Sequence, residues 1–176
     1  LTGRGISSAL HFSSMSINKK RQKGFLTAEK NGFRVNRVQS SRNILAIAAS
    51  VLESKYDTKP VHTVDEMDRL KGHFPDKIHL HELIYRKKCV GGAILFISRQ
   101  VVHAQYLIVD SAAQQARGLD YLVTHLAKSY AEDHTWFDYG ISTESQGQFL
   151  NQALIHMKES FNFRAVCYDV YTKELV

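Results

Sequence analysis

The sequence predicts a mixed α/β fold in which an antiparallel meander is followed by alternating helices and strands. Three observations carry that expectation. Residues 78–85, 89–98 and 101–110 read as successive strands, the first alternating apolar and polar, the next two almost continuously apolar. Short basic or polar turns separate them, Arg86-Lys87-Lys88 and Arg99-Gln100, as an antiparallel meander requires. Downstream, helical stretches at 119–132 and 147–161 alternate with short strand-like runs at 136–139 and 165–171.

The remaining elements follow in order. Residues 1–14 are rich in Gly and Ser and lack an initiator Met, so they read as a tail, or the chain as a piece of a longer one. Residues 15–176 are then expected to form one domain, long enough for a sizeable core. A basic helix at 17–31 should end at Asn31-Gly32, a good C-cap pair, and lead into a short strand at 33–38. Ser40-Ser41 should cap an apolar helix at 42–54, which buries Ile44, Leu45, Ile47, Ala48, Val51 and Leu52. Thr63 should open a further helix at 64–72, with Asp65, Glu66 and Asp68 near its positive end.

Charge is unevenly spread. Through residue 42 the chain holds nine Lys/Arg against one acid, Glu29; after it, 14 stand against 16. A near-neutral body with a basic arm argues against a wholly basic domain wrapped on nucleic acid. The arm also lacks interleaved aromatics that would stack bases. Cys89 and Cys167 are too few for a disulfide framework and read as reduced thiols, so a cytoplasmic location is expected. The longest apolar runs, 44–52 and 90–97, are too short to span a bilayer.

Chemistry is most legible where the strand at 101–110 meets Gln115-Ala116-Arg117-Gly118 and a helix. A helix N-terminus presents unpaired N–H groups and a positive dipole end, which suit a phosphate. Ala112, Ala113, Ala116 and Gly118 would let a ligand approach the backbone, although an ordinary strand-to-helix turn has the same composition. His79 and His81 share one strand face, but no third ligand stands at motif spacing, so no metal is expected. Ser142 and Ser145 lack a nucleophile-elbow context, which argues against a hydrolase.

Gln115-x-x-Gly118 resembles the Q/R-x-x-G-x-G/A pyrophosphate loop of the GNAT acyltransferase superfamily, with Asp120 at the second small position. Trp136-Phe137-Asp138-Tyr139-Gly140-Ile141-Ser142 is similar to the F-D-F/Y-G-x-S segment of the branch that includes the Fem-type aminoacyltransferases. Met157-Lys158-Glu159-Ser160-Phe161-Asn162-Phe163 resembles that branch's F-K-x-x-F-G-A segment, and the basic helix after Asn18 its K-R-R-x-x-x-x-K-A-x-K-x-G-x-x-V helix. The resemblance implies a GNAT-like fold and transfer of an acetyl or other acyl group from acyl-coenzyme A to a primary amine of a small molecule or peptide.

On that resemblance Leu107, Ile108, Val109 and Ser111 would line the edge holding the pantetheine arm. Gln115, Ala116, Arg117, Gly118 and Leu119 would supply the pyrophosphate loop, and Asn151 a further cofactor contact. The base that neutralises the amine is expected among Glu144, Asp110 and Glu82. Glu144 leaves its strand beside the cleft, Asp110 ends the strand before the loop, and Glu82 shares a strand face with Leu80 and Ile84. Asp138 could instead brace its neighbouring loop, and Tyr139 and Tyr168 are candidate acids. Fem-type transfer from charged tRNA is the less favoured alternative; a catalytically silent binding domain is the other.

Overall fold

The computed structural model describes residues 2–173. The chain opens with strand β1 (Gly3–His11), helix α1 (Lys19–Lys30), strand β2 (Arg34–Val38) and two helices, α2 (Arg42–Tyr56) and α3 (Val64–His73). The meander follows as β3 (Ile78–Tyr85), β4 (Lys88–Ile97) and β5 (Val101–Val109). Next come a short helix α4 (Ser111–Gln115), the longer α5 (Gly118–Tyr130) and strand β6 (Trp136–Ile141). A small hairpin of β7 (Thr143–Glu144) and β8 (Phe149–Leu150), helix α6 (Gln152–Glu159) and strand β9 (Arg164–Val170) complete the order.

Among the described residues, seven strands form one sheet in the order β2-β3-β4-β5-β6-β1-β9. Neighbours pair antiparallel except β5 and β6, which pair parallel. One face carries α1 and α5 over a core that includes Phe25, Phe33, Leu95, Val102, Leu122, Leu126 and Phe137. The other carries α2 and α3 over Ile44, Leu45, Met67, Ile78, Leu80 and Ile94. Burying each of these large side chains stabilises the fold by about 1.5–3 kcal/mol. Among the described residues, no helix is long and apolar enough to cross a membrane.

The expected tail at 1–14 is a correction, because β1 lies inside the sheet between β6 and β9. Gly5 within it is small for a packing reason. A Cβ on Gly5 would fall 2.2 Å from the Tyr168 ring, which crosses over it from the paired position on β9.

Helix ends show which local signals survive packing. Thr63 and Glu66 form a reciprocal capping box: Thr63 Oγ1 accepts from Glu66 N at 3.2 Å, and Glu66 Oε2 accepts from Thr63 N at 2.8 Å. Ser41, by contrast, makes no side-chain cap on α2. Asp68 of α3 reaches across instead, accepting from Ser41 N and from the Ser40 hydroxyl, both at 2.7 Å. The helix expected at 147–161 is also shorter. Gln146 and Gly147 adopt left-handed backbone, so α6 begins only after Asn151, whose Oδ1 accepts from Leu154 N.

Candidate functional site

The sheet opens at its one parallel pairing. Strands β5 and β6 are in register only at Val101 with Trp136, Val102 with Phe137 and His103 with Asp138. Above that point both strands carry a bulge at the same height. On β5, Gln105 is the extra residue, since Leu95 pairs with Ala104 and Ile94 with Tyr106. On β6, Ala9 pairs with Asp138 but Ser7 with Ile141, leaving Tyr139 and Gly140 against Ser8. Gly140 takes φ +81°, which a side chain would strain. Each bulge bends its strand, so the two diverge and the β6-facing edge of β5 beyond His103 has no strand partner.

A cleft of about 410 Å³ fills the gap. Leu107, Ile108 and Val109 form one wall, Tyr139, Asn151, Ala153, Leu154 and Met157 the opposite one, and Leu119 and Gln114 its upper end. Lys55 of α2 also lines it and donates to Gln114 Oε1 at 3.2 Å. Asn151 is held by its cap bond to Leu154 N and by donating to Glu144 Oε1 at 2.8 Å.

The loop after β5 is compact. Ser111, Gln115 and Ala116 belong to or cap α4, Arg117 is left-handed at φ 69°, and α5 starts at Gly118. A Cβ at Gly118 would fall 2.9 Å from Ala113 O and from Phe33 Cε1, so the chain needs glycine here to pack. The first amides of α5, from Gly118 to Asp120, have no preceding helical carbonyl to bond. Asp120 does not compete for them with its carboxylate. That side chain is 3% exposed and turned into the α1–α5 interface, paired with Arg21 Nη1 at 3.0 Å and more loosely with Arg117 Nη1 at 3.8 Å. Unpaired β-edge groups, apolar walls and free helix-terminal amides suit an extended arm that carries amides and ends in phosphates, as in coenzyme A.

The expected bases stand apart from the cleft walls. Asp110 is the N-cap of α4, accepting from Ala113 N at 2.7 Å. Glu82 accepts from Asn43 Nδ2 of α2 at 2.9 Å. Glu144 is exposed and reaches the cleft only through Asn151. Tyr139 lines the cleft, and burial pushes its phenol up; Tyr168 lies over β1 instead. His79 and His81 share a face as their spacing requires, but both bond the Tyr130 hydroxyl, at 2.7 and 2.8 Å. Among the described residues, no cluster of three His, Cys, Asp or Glu could hold a metal.

Of the groups that build the bulge, sequence reasoning offered Asp138 as a brace for its neighbouring loop but missed His103 and the part played by Lys158. Asp138 Oδ2 bonds His103 Nδ1 at 2.7 Å, while Oδ1 accepts from Gly140 N at 3.0 Å and from the Ser7 hydroxyl. Burial would raise the Asp138 carboxyl, but the His103, Ser7 and Gly140 donors outweigh it and hold the group below its ordinary value. Lys158 Nζ donates to Gly140 O at 2.8 Å and Ile141 O at 2.7 Å, taking up carbonyls that the bulge frees. Burial lowers this ammonium to about 8, against the opposing pull of Asp138. The F-D-x-G and F-K-x-x-F likenesses contained Asp138 and Lys158; nothing in the sequence marked His103.

Solved structures of low identity share this fold. FemX superposes with a TM-score of 0.70 at 9% identity, over 91% of this chain and 59% of that one. L-PGS from Bacillus licheniformis gives 0.62 at 14%, over 94% and 60%. The chain therefore spans about 60% of the length of each. An aminoglycoside acetyltransferase from an uncultured soil metagenomic sample, solved in complex with sisomicin, gives 0.55 at 16%, over 82% of this chain and 99% of that one. No curated protein sequence matches. Across residues 16–167, however, the chain fits the family model of the acetyltransferase (GNAT) domain, and with the parted strands and the loop between β5 and α5 this makes it a member of the GNAT family.

Proposed function

We propose that the chain is an N-acyltransferase that moves an acetyl or other acyl group from acyl-coenzyme A to a primary amine of a small molecule or peptide. The observation that supports this most is the cleft between β5 and β6, which reaches Leu119 in the first turn of α5, where the helix amides lack carbonyl partners. Bound there, acyl-coenzyme A supplies an activated thioester. The unpaired backbone groups of Leu107 and Val109, which alternate with Ile108 bonded to β4, hold the arm and orient it, and the amides after Arg117 meet the phosphates. Of the carboxylates, Asp110 shapes the loop through its cap, Glu144 steadies Asn151 at the cleft wall, and Glu82 anchors the start of α2. The free thiols Cys89 and Cys167 fit a cytoplasmic setting.

Acetyl-coenzyme A should raise the melting temperature. At a hundredfold excess over Kd the gain is about 2.7 kcal/mol, or roughly 5–10 °C for a chain of this size. Ala153→Glu should abolish the shift without unfolding the protein, because Ala153 is exposed, lines the cleft and sits in the first turn of α6, where an acid is tolerated. No shift at millimolar donor would refute the reading and favour a silent binding domain.

A second reading, aminoacyl transfer from charged tRNA, draws on the placement of α1. Arg21 joins this basic helix to the first turn of α5, so the exposed Lys19 and Lys20 stand near the same helix end. Salt-sensitive retention of bulk tRNA, together with indifference to acetyl-coenzyme A, would favour it.

A further inference from the structure

The Asp138–His103 pair sits at the last rung before β5 and β6 part. With Nδ1 bonded to the carboxylate, the His103 ring presents Nε2 as a lone-pair acceptor. The ring edge faces the parting point: a Cβ placed on Gly140 would lie 3.9 Å from His103 Cε1 and 3.8 Å from Ala104 O. The bulge at Gln105 is two residues further along β5, roughly 7 Å at the usual strand rise. His103 side-chain exposure is 36%, so the imidazole is open on one side.

On that side lies an apolar groove of about 490 Å³, walled by Leu70, Phe74, Ile78, Phe96, Val101 and His103. No carboxylate lines it among the described residues, and Lys77 contributes a positive charge. Such a groove repels an ammonium ion and accepts a neutral amine, with His103 Nε2 as the acceptor for its N–H.

We propose that this groove is the acceptor site, that it takes a primary amine carried on an apolar body, and that His103 is the base. This assignment rests on the acyl-transfer reading. The amine lone pair attacks the thioester carbon and the new C–N bond forms. His103 Nε2 receives the proton released from nitrogen, the C–S bond breaks, and that proton passes to the departing thiolate. Asp138 is a positioning residue: it fixes the imidazole tautomer and stabilises the transient imidazolium.

Trp136 pairs with Val101, but its ring packs edge-on against His11 and does not line the groove, so occupancy is read calorimetrically as the heat of amine binding. Titrated without donor at about pH 9.5, where part of the amine is neutral, 2-phenylethylamine should give a saturable heat of binding, methylamine a far weaker one, and Phe74→Glu should weaken the phenylethylamine titration. With acetyl-coenzyme A present, His103→Gln should keep the donor-induced melting shift and the amine titration but lose roughly 100-fold or more in kcat. Added imidazole should restore part of the rate to His103→Ala, which a structural role for the ring would not allow. Absence of saturable 2-phenylethylamine binding overturns the groove assignment. A His103→Gln rate equal to wild type, or no transfer when both ligands demonstrably bind, overturns the base. Failure of acetyl-coenzyme A to bind overturns the acyl-transfer reading itself, and with it the base, whereas the amine titration still judges the groove.

Discussion

Tyr130→Phe removes one oxygen from a buried junction and nothing else. The hydroxyl bridges His79 Nδ1 at 2.7 Å and His81 Nε2 at 2.8 Å, donating its proton to one ring and accepting the N–H of the other. His81 is 9% exposed and Tyr130 8%, while His79 is half-buried. Burial lowers His81 to about 3 and His79 to about 4 and pushes Tyr130 up to about 12, so all three are neutral near pH 7. Phenylalanine fills the same space, so no cavity term enters. His81 loses its partner where water cannot replace it, at a cost of about 1–3 kcal/mol; His79 can turn to solvent and loses less. A total near 2–3 kcal/mol corresponds to a fall of roughly 5–10 °C in Tm for a chain of this length. Urea denaturation at pH 7.5, followed by far-UV circular dichroism, measures the loss directly. A midpoint equal to or above wild type would refute the claim that the hydroxyl bridge stabilises the fold.

The same pair makes the protein acid-sensitive. Unfolded imidazoles bind protons below about pH 6.5 while native His81 stays neutral to about 3, so stability is full above 6.5 and falls with acid by ~1.4 kcal/mol per pH unit from His81 alone. Unfolding free energies at pH 7 and 5 test this, and a flat profile would contradict it. Arg21→Ala should cost up to about 3–5 kcal/mol by leaving the buried Asp120 carboxylate only the looser Arg117 guanidinium at 3.8 Å, and adding Asp120→Asn should recover part of that. A loss no larger than that of an exposed ion pair would show that Asp120 is not held by Arg21. Lys158→Met leaves the Gly140 and Ile141 carbonyls without their donor, so amide exchange along the end of β6 should quicken; unchanged protection would count against the lysine as the bulge's clamp.

Much of the fold was legible because its signals are local. Alternation and apolar runs place β3, β4 and β5 within a residue of their observed ends, and the Thr63-x-x-Glu66 pair caps α3 as its spacing demands. Asn162 likewise takes the left-handed conformation, φ 70°, where the likeness has glycine. The misses are non-local. A Gly/Ser-rich segment looks like a tail until Tyr168, 163 positions away in sequence, covers Gly5. Ser41 looks like a cap until Asp68 of another helix takes over its amide. In the site, the loop and the β5 wall were readable from the motif, whereas the carboxylates chosen as bases proved to be bonded to caps and neighbouring helices.

Composition, periodicity and motif spacing were enough for the mixed α/β class, the order from meander to α5 and the position of the loop, because helix ends, turns and strand alternation depend on residues a few positions apart. The placement of β1 inside the sheet, the paired bulges that part β5 from β6, and the meeting of His103 with Asp138 depend on strands far apart in sequence being set side by side. Only packing decides those partners, since a bulge or a side-chain hydrogen bond between strands is stable only when the opposing strand and its donors are already in place.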